Sequence, residues 1–535
     1  MDKEYFSQQE LWPQPPDKVA TLKETPAHTG EYPARKPKKH SGKRRKLTDS
    51  VASLVVAAVA VVMVVNAAVP GPGFHPFADL GFDYSITVPE EHPAGTEGTP
   101  VSDPTEHTGS TGATSATEGT FDIVNGWHLP EFGGPFDALL STLLGYLPQE
   151  EDYERIHSLT IKYSEWEGCS VSMQLTVNGV SETLEGEIFA DLDLTEAQMQ
   201  ALSLDMNRFR KLTYLDFSSS ALLEDISFLQ SMPEVETLLL YRNSIKDISP
   251  IGYCKKLAVL KINHNPIASI PEGLDLNVVT LDLSETELTN VDHISGLLGP
   301  ATESVEIIYT PLSDLGGFAE ATDLTSLKTL GLYWNELETV DGLEGLAGAA
   351  SLERIDLYGN KITDISALAA LKETPIESLS FRDNPLSDIS PLAELSGLTE
   401  LTLENTACTD LQPLKNLTKL EYLTLDGTGV SDISPLSGLT AVKTLYLGNN
   451  NISDLTPLSG LTRLNSLHMA GNQVSDLTPL SGCTGLRHLD LQNNLVTDIS
   501  VLSTLNSLDY LDIRGNAVAD LSPVDGLKLS HFIHD

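Results

Sequence analysis

The sequence predicts an α/β protein in which short repeats, each a strand followed by a turn of helix, stack into a solenoid. An aliphatic frame recurs at spacings of 21 to 25 residues from about residue 210 onward. In copies such as LYLGNN (445–450), leucines alternate with residues that a strand would point outward. Most copies continue with Asp and then Ser-Pro-Leu or a close variant, a start signal for a short helical turn.

The N-terminal segments predict a membrane anchor. Residues 1–50 hold 11 Lys and Arg against 7 Asp and Glu, end in the basic run RKPKKHSGKRRK and predict a disordered cytoplasmic tail. Residues 51–69, VASLVVAAVAVVMVVNAAV, are uncharged and as a helix reach about 28 Å, which just spans a bilayer core. Because the positive charges precede this segment, we expect a single-pass signal-anchor with everything after it outside. A cleavable signal peptide, with Val65–Ala67 near the cleavage site, is the alternative.

Two further segments precede the repeats. Residues 70–120 are rich in Pro, Gly, Thr and Ser and predict a disordered stalk with a reach on the order of 40 Å. Residues 121–210 predict an α+β cap over the first repeat, with a helix near 135–147 and two strands around an Asn178-Gly179 turn. Thr195 and Gln198 form the pattern of a capping box before another helix. A separate binding domain or a hidden enzyme in this region are the minority alternatives.

Residues 211–535 predict a solenoid of about 14 repeats with the leucine-rich-repeat frame L-x-x-L-x-L-x-x-N-x-I-x-D-I. We call the Asn of this frame the ladder position, since its side chain can donate to and accept from the loop backbone of stacked copies. It is occupied by Ser220, Asn243, Asn265, Thr286, Thr310, Asn335, Asn360, Asn384, Thr406, Thr428, Asn450, Asn472, Asn494 and Asn516.

An Asp stands four residues after the ladder position in most copies. We expect it to accept free backbone N–H groups at the start of the helical turn, although a column of carboxylates could instead collect calcium. The Asp residues are Asp247, Asp314, Asp364, Asp388, Asp410, Asp432, Asp454, Asp476, Asp498 and Asp520.

Charge and cysteine usage exclude some function classes. The residues after position 50 hold 22 basic against 68 acidic side chains, so the repeat domain would repel nucleic acid, whereas a basic protein partner fits. Cys254, Cys408 and Cys483 stand at aliphatic positions of the frame and predict core filling, while Cys169 lies outside the clear repeats.

We find no zinc-protease, phosphate-loop or nucleophile-elbow motif, and the sequence therefore predicts no enzyme, cofactor or metal site. His531 and His534 are assigned to a frayed end.

The 22-residue repeats, such as LTKLEYLTLDGTGVSDISPLSGL (417–439), resemble the repeat domain of bacterial internalins and related cell-surface leucine-rich-repeat proteins. The resemblance covers about residues 210–527. It implies a curved solenoid with parallel strands on a concave face, short 3-10 helices or turns on a convex face, and a protein ligand bound at the concave face.

Strand alternation predicts which side chains face that ligand, and aromatic and Arg side chains are favoured at binding hot spots. The predicted binding residues are Tyr241, Arg242, Tyr309, Tyr333, Trp334, Tyr358, Arg382, Tyr422 and Tyr446, with His468, His488, Tyr510 and Arg514 also outward. The predicted function is a membrane-anchored extracytoplasmic adhesion or recognition module. An intracellular regulatory subunit, for example of a phosphatase, and a secreted form after signal cleavage are the alternatives.

Overall fold

The computed structural model describes residues 136–137, 140–141, 146–164, 168–177, 180–189, 196–220, 223–321 and 323–535. The predicted tail, transmembrane segment and stalk lie outside these residues, so they stay predictions. No helix in the described part of the chain has the length and apolar character that a bilayer crossing requires.

The described residues form one sheet of eighteen strands. From β4 onward each strand pairs in parallel with the next one along the chain, whereas β1, β2 and β3 pair antiparallel in sequence order. The strands are β1 Ile156–Ser164, β2 Gly168–Val177, β3 Val180–Phe189, β4 Tyr214–Asp216, β5 Thr237–Leu239, β6 Val259–Lys261, β7 Thr280–Asp282, β8 Ser304–Glu306, β9 Thr329–Gly331, β10 Arg354–Asp356, β11 Ser378–Ser380, β12 Glu400–Thr402, β13 Tyr422–Thr424, β14 Thr444–Tyr446, β15 Ser466–His468, β16 His488–Asp490, β17 Tyr510–Asp512 and β18 His531–Ile533.

Short 3-10 helices form the opposite side of the repeats. They pack against one another from repeat to repeat, and a continuous core of buried aliphatic residues separates them from the sheet. They span Ser227–Ser231, Ser249–Tyr253, Ile294–Gly296, Gly316–Glu320, Leu343–Gly348, Ser366–Leu371, Ser390–Glu394, Gln412–Asn416, Ser434–Gly438, Thr456–Gly460, Thr478–Gly482, Ser500–Thr504 and Ser522–Val524. The α/β repeat architecture predicted from the aliphatic frame is confirmed.

The predicted Asp residues start these helices. In all ten, one carboxylate oxygen accepts the backbone N–H of the residue two positions on, at 2.7 to 2.9 Å. That residue is the first of the helix. One repeat carries Ser269 at the Asp position, and residues 266–275, all of them described, form no 3-10 helix. The carboxylate therefore satisfies the first N–H group of the helix in these ten repeats, although the repeats with Asn290 and Thr339 at this position also form a helix.

The ladder position holds the turns together, as predicted. Asn450 Nδ2 donates to the carbonyls of Leu425, Leu447 and Gly448, while its Oδ1 accepts the N–H groups of Gly429 and Val430. Each such Asn satisfies backbone groups of its own repeat and of the preceding one. Since a buried backbone group left without a partner costs about 1–3 kcal/mol, this position tolerates little change.

Residues before the array extend the same sheet. Strand β1 pairs in parallel with β4 and antiparallel with β2, and β2 pairs with β3 from Cys169 to Val177. The two strands predicted around Asn178-Gly179 are therefore confirmed, while the turn residues lie outside the described ones. Helix α1 spans Glu150–Tyr153, and helix α2, Glu196–Met206, begins directly after the predicted capping residue Thr195. Of the helix predicted near 135–147, Phe136, Asp137, Leu140 and Ser141 are described and helical.

The assignment of His531 and His534 to a frayed end is wrong for His531. It belongs to β18, which pairs with β17 and so adds a fifteenth parallel strand to those of the fourteen repeats. The segment lacks the aliphatic frame, but Phe532 is aligned with Leu511 and occupies the inward position of a strand. A search of the sequence for the aliphatic frame misses this segment, because Phe532 stands where the frame has a leucine.

Candidate functional site

Four positions of each repeat lie on the outer face of the parallel sheet, the face predicted to be concave. These positions lie six, four, two and one residues before the ladder position. The leucines five and three residues before it are buried. The sheet keeps equivalent positions in register, so each forms a column with neighbours about 4.8 Å apart. Side chains from successive repeats therefore meet on this face.

Aromatic side chains from the repeats of β8, β9 and β10 meet in one patch. Tyr309 stacks on Trp334 with ring centroids 5.9 Å apart and an interplanar angle of 13°, and Trp334 meets Tyr358 edge-on at 4.9 Å. Tyr333 lies edge-on to Tyr309 at 6.3 Å. The Arg382 guanidinium lies 5.2 Å from the centre of the Tyr358 ring. We call Tyr309, Tyr333, Trp334, Tyr358 and Arg382 the aromatic surface.

Two of these rings are unusually exposed. Tyr309 keeps 56% and Trp334 41% of its accessible surface, whereas Tyr333 and Tyr358 are half-buried. Ordinary stacking would cover such rings, because exposed apolar area is unfavourable. The patch therefore presents apolar surface that another molecule can cover.

The residue directly before the ladder position adopts a left-handed backbone conformation in every repeat, with φ between 53° and 71°. We call these residues the left-handed column. Gly, Asn and Asp adopt this conformation most readily, whereas other side chains pay on the order of 1 kcal/mol. Yet five successive repeats place large side chains there, namely Arg242, His264, Glu285, Tyr309 and Trp334. The backbone of these five repeats therefore stores strain that Gly or Asn at the same position would avoid.

A small cavity adjoins the aromatic surface in this column. It measures about 370 Å³ and is lined by His264, Glu285, Thr286 and Tyr309. His264 Nδ1 lies 2.7 Å from Glu285 Oε2, so the pair forms a hydrogen bond across two repeats. The cavity offers polar groups beside the exposed Tyr309 ring.

Carboxylates surround the aromatic rings. Partial burial raises the pKa of Tyr333 to about 12, and the negative charges of Glu306 and Asp356 add to this shift. Burial also raises the pKa of Tyr358 to about 12. Desolvation, followed by the charge of Asp282, raises the pKa of Glu306 above its usual range. These groups lie close enough together to disfavour further negative charge at this face.

Strands β13 to β18 carry a second aromatic assembly, which we call the ring ladder. It consists of Tyr422, Tyr446, His468, His488, Tyr510 and His531, with centroids 4.0 to 6.0 Å apart. Tyr446 and His468 stack at 4.0 Å and 7°, and so do His488 and Tyr510 at 4.0 Å and 6°. Apart from the exposed His531, these side chains are half-buried. Their ring faces contact one another, so less aromatic area is left for a ligand.

Burial sets the protonation states of the ring ladder. It lowers the pKa of His468 to about 3, and the neighbouring His488 adds to this shift. Burial likewise lowers the pKa of His488. Asp426, which accepts the Gly448 N–H at 2.7 Å, has its pKa raised to about 7 by burial. At neutral pH both imidazoles are therefore uncharged.

Three predicted binding residues lie away from these assemblies. Tyr241 is half-buried and Arg242 exposed beside β5, three strands before β8. Arg514 binds its own repeat, with Nη2 2.6 Å from Asp512 Oδ2. Sequence reasoning placed all thirteen outward residues on the correct face. It missed the strain of the left-handed column, which Gly359, Asn405 and Gly427 at the equivalent positions could have revealed.

The thiols offer no reactive site among the described side chains. Cys254, Cys408 and Cys483 are buried and free, and burial raises the pKa of Cys254 to about 12, which keeps the thiol protonated. Within the same described part of the chain, no three His, Cys, Asp or Glu side chains come together as metal ligands would.

Residues 440–482 and 484–526 match the family model described as Leucine Rich repeats (2 copies). The structure is similar to that of an internalin, InlF, of Listeria monocytogenes, with 25% identity over 63% of this chain and 93% of that one and a TM-score of 0.50. It is also similar to a leucine-rich-repeat protein of Leptospira interrogans, with 19% identity over 63% and 92% of the two chains and a TM-score of 0.55.

A plant peptide hormone receptor, solved in complex with RGF2, shares 20% identity over 62% of this chain and 56% of that one, with a TM-score of 0.50. The chain spans about a quarter to a third of the length of the curated relatives it matches, such as a disease resistance protein of Arabidopsis thaliana. That relative is 27% identical over 38% of this chain and 23% of its own length. The chain therefore carries leucine-rich repeats, and its structural neighbours include a Listeria monocytogenes internalin and other leucine-rich-repeat proteins.

Proposed function

We propose that this chain is a non-enzymatic protein-binding module that holds its ligand on the outer face of the parallel sheet, centred on the aromatic surface. The observation that carries the proposal is the exposed stack of Tyr309 on Trp334, built on two left-handed residues. Exposed rings and left-handed backbone both cost folding free energy. A surface with both features is therefore stabilised when a partner covers it.

The chemistry of the patch suits protein recognition. Tyr, Trp and Arg are the residue types that carry most binding energy in protein interfaces, and here they come from four adjacent repeats. The rings hold one another in place through edge and stacking contacts, so little side-chain entropy is lost on binding. The similarity to the plant peptide hormone receptor supports the fold of the proposed module and says nothing about its ligand.

Affinity capture with the full-length chain tests this function. The variant Tyr333→Ala/Trp334→Ala/Tyr358→Ala removes three of the five side chains of the aromatic surface, all at exposed or half-buried positions. The control variant Tyr253→Ala/Leu495→Ala removes two other side chains, 53% and 60% exposed, that lie off the sheet face. We expect the control to capture the same proteins as the parent chain and the triple variant to lose them. Equal capture by all three chains contradicts the assignment of the site.

We further propose that residues 51–69 anchor the chain in a membrane, with the N-terminus cytoplasmic and the repeats extracytoplasmic. The support comes from the sequence, where an uncharged run of nineteen residues follows the basic run 35–46 after only four residues. Protease treatment of intact cells tests it. Release of the repeats supports display outside the cell, whereas full protection in intact cells and digestion after lysis supports the intracellular alternative.

We also propose that residues 121–210 cap the first repeat. Pairing of β1 with β4 covers the edge of the first repeat strand, and Phe209 and Leu212 are fully buried. Arg208 joins the parts of this region, since its guanidinium contacts Asp137, Glu150 and Asp205 and lies 3.7 Å from the Tyr153 ring centre. A solenoid needs such cover because its first core layer would otherwise face water.

A further inference from the structure

The outer face of the sheet has a notch within the aromatic surface. Every repeat except that of β9 carries a side chain four residues before the ladder position, whereas β9 has Gly331 there. A methyl group built on Gly331 would lie 3.6 Å from Glu306 Cγ and 3.8 Å from both Ile308 Cγ2 and Tyr333 Cε1. The notch therefore has room for at least a methyl group, with Glu306, Ile308 and the Tyr333 ring at its borders.

The strand register gives the notch a second wall. Gly331 is aligned with Glu306 of β8 on one side and with Asp356 of β10 on the other. With strands about 4.8 Å apart, the backbones of these two acidic residues are about 10 Å apart across the notch. Glu306, Ile308 and the Tyr333 ring thus border a position with no side chain of its own, and Asp356 stands at the aligned position of the next strand.

Acidic side chains outnumber basic ones around the notch. In the four repeats of β7 to β10 the sixteen outer-face positions include Asp282, Glu285, Glu306 and Asp356 but a single basic residue, Arg354. Arg382, in the repeat of β11, is engaged with two carboxylates of its own surroundings, at 3.3 Å each. The immediate surroundings of the notch therefore carry excess negative charge.

Two basic residues compensate this charge only in part. Desolvation raises the pKa of Glu306, and the charge of Lys261 opposes that shift. Desolvation also raises the pKa of Asp356, against hydrogen bonds from the Tyr358 N–H and the Ser380 side chain and, after these, the charge of Arg354 on the same strand. A further cation placed between the two carboxylates would therefore be stabilised.

We propose that this notch receives a lysine or arginine side chain from a segment of the partner protein that lies across the aromatic surface, an inference that rests on the function proposed above. The cation would meet Glu306 and Asp356 and the face of Tyr333, a combination of ion pairing and cation–π contact. The neighbouring Tyr309 and Trp334 rings would cover the aliphatic stem of the same side chain or its apolar neighbours.

Charge complementarity favours this occupant over a second copy of the chain. The residues after position 50 carry 68 acidic against 22 basic side chains, so two repeat domains repel each other. The basic run 35–46 lies on the other side of the predicted membrane segment. A basic segment of another protein meets neither obstacle.

Selection from a random dodecapeptide library, with the full-length chain as the target, tests the inference even while the natural partner is unidentified. We expect the enriched peptides to share a Lys or Arg at a fixed position. Replacing that Arg by citrulline, or Lys by norleucine, should weaken binding at least tenfold. Glu306→Gln should weaken it to a similar extent, whereas Glu320→Gln, the same change on the helix side, should leave affinity unchanged.

A filled notch provides the second variant. Alanine at Gly331 meets no atom closer than 3.6 Å, so Gly331→Ala folds, and Gly331→Val adds a residue that strands favour. We expect Gly331→Val to keep or raise the melting temperature while peptide affinity falls at least tenfold. A loss of affinity that follows a loss of stability would contradict the inference.

The outcomes separate the two proposals. Peptides without a basic residue that still require Tyr333, Trp334 and Tyr358 overturn the cation notch and leave the binding surface in place. Peptides that bind independently of the aromatic surface overturn both proposals. A library that yields no enriched peptide overturns the notch, while affinity capture decides the binding surface separately. Self-association that the triple aromatic variant abolishes shows a second copy of the chain as the occupant.

Discussion

The left-handed column carries Arg242, His264, Glu285, Tyr309 and Trp334 in the repeats of β5 to β9, whereas Asn and Gly alternate at the same position from Asn405 to Gly515. The backbone conformation is the same in both regions. In the later repeats each Asn side chain leans over the following Gly, where a Cβ would come within 2.6 Å of Asn405 Oδ1 at Gly427 and 2.7 Å of Asn449 Oδ1 at Gly471. The later repeats thus carry the residue types that favour a left-handed backbone, whereas the repeats of β5 to β9 do not.

The same division separates the two aromatic assemblies. The aromatic surface exposes the rings of Tyr309 and Trp334, whereas Tyr446, His468, His488 and Tyr510 of the ring ladder stack on one another and are half-buried. Stacked rings stabilise the sheet, by about 0.5–1.5 kcal/mol a pair, but leave only their edges to a ligand. The difference teaches that outward position alone does not distinguish the proposed binding residues, because only those of the aromatic surface combine outward position with backbone strain and exposure.

Trp334→Gly is expected to give the largest effect, because it places the preferred residue in the left-handed column and removes the central ring of the aromatic surface. Binding of the captured partner should weaken about 100-fold, a typical value for a hot spot. Stability should stay within about 1 kcal/mol, since relief of strain offsets the lost ring contacts. Titration calorimetry and denaturant unfolding measure the two quantities. A large loss of stability would place Trp334 with the ring ladder instead.

His468→Phe tests the ring ladder as a stabilising element. The folded-state pKa of His468, about 3, lies below the unfolded value of about 6.5, so the unfolded chain takes up the proton first. The free energy of unfolding of the parent chain should therefore fall as the pH drops below about 6.5, by about 2–3 kcal/mol at pH 4. Phenylalanine keeps the stack and cannot be protonated, so the difference between variant and parent should grow on acidification. A constant difference from pH 7 to pH 4 argues against a buried neutral imidazole.

Gly359→Ala compares the two regions at one position of the column. Gly359 has φ +68°, and a Cβ there would lie 2.9 Å from the Trp334 ring, which Tyr309 and Tyr358 hold in place. We expect a loss of about 2 kcal/mol, together with weaker partner binding. Gly427→Ala has the same φ but meets the end of the Asn405 side chain, so it should cost about 1 kcal/mol and leave binding unchanged. Equal effects on binding would remove the functional distinction between the regions.

Much of the fold follows from short-range chemistry that the sequence states directly. The leucine alternation, the Asn of the ladder and the Asp at each helix start act within one repeat or between neighbours, so the frame predicts them. The ring contacts join side chains at least twenty residues apart in the chain, and they depend on strand register and on rotamers that the aliphatic frame does not specify. Gly331 is an example. The sequence shows a Gly where the other repeats carry a side chain, but only the strand register shows that it is aligned with Glu306 and Asp356.

Asp426→Asn is expected to leave partner binding unchanged and to have the opposite dependence of stability on pH from His468→Phe. The folded-state pKa of Asp426, about 7, lies above the unfolded value of about 3.9, so the folded chain holds the proton more tightly. The stabilisation by this group is complete below about pH 4 and is lost as the pH rises through 7. Asparagine keeps an oxygen for the Gly448 N–H and carries no charge.

The variant should therefore be more stable than the parent at pH 8 and equally stable at pH 4, by denaturant unfolding. Glu306→Gln provides the matching change in the first region, where the carboxylate is exposed and the proposed partner supplies the compensating charge. We expect that variant to lose peptide affinity without a comparable gain in stability. If both carboxylates act alike, the acidic residues of the two regions share one structural role, and the cation notch loses its basis.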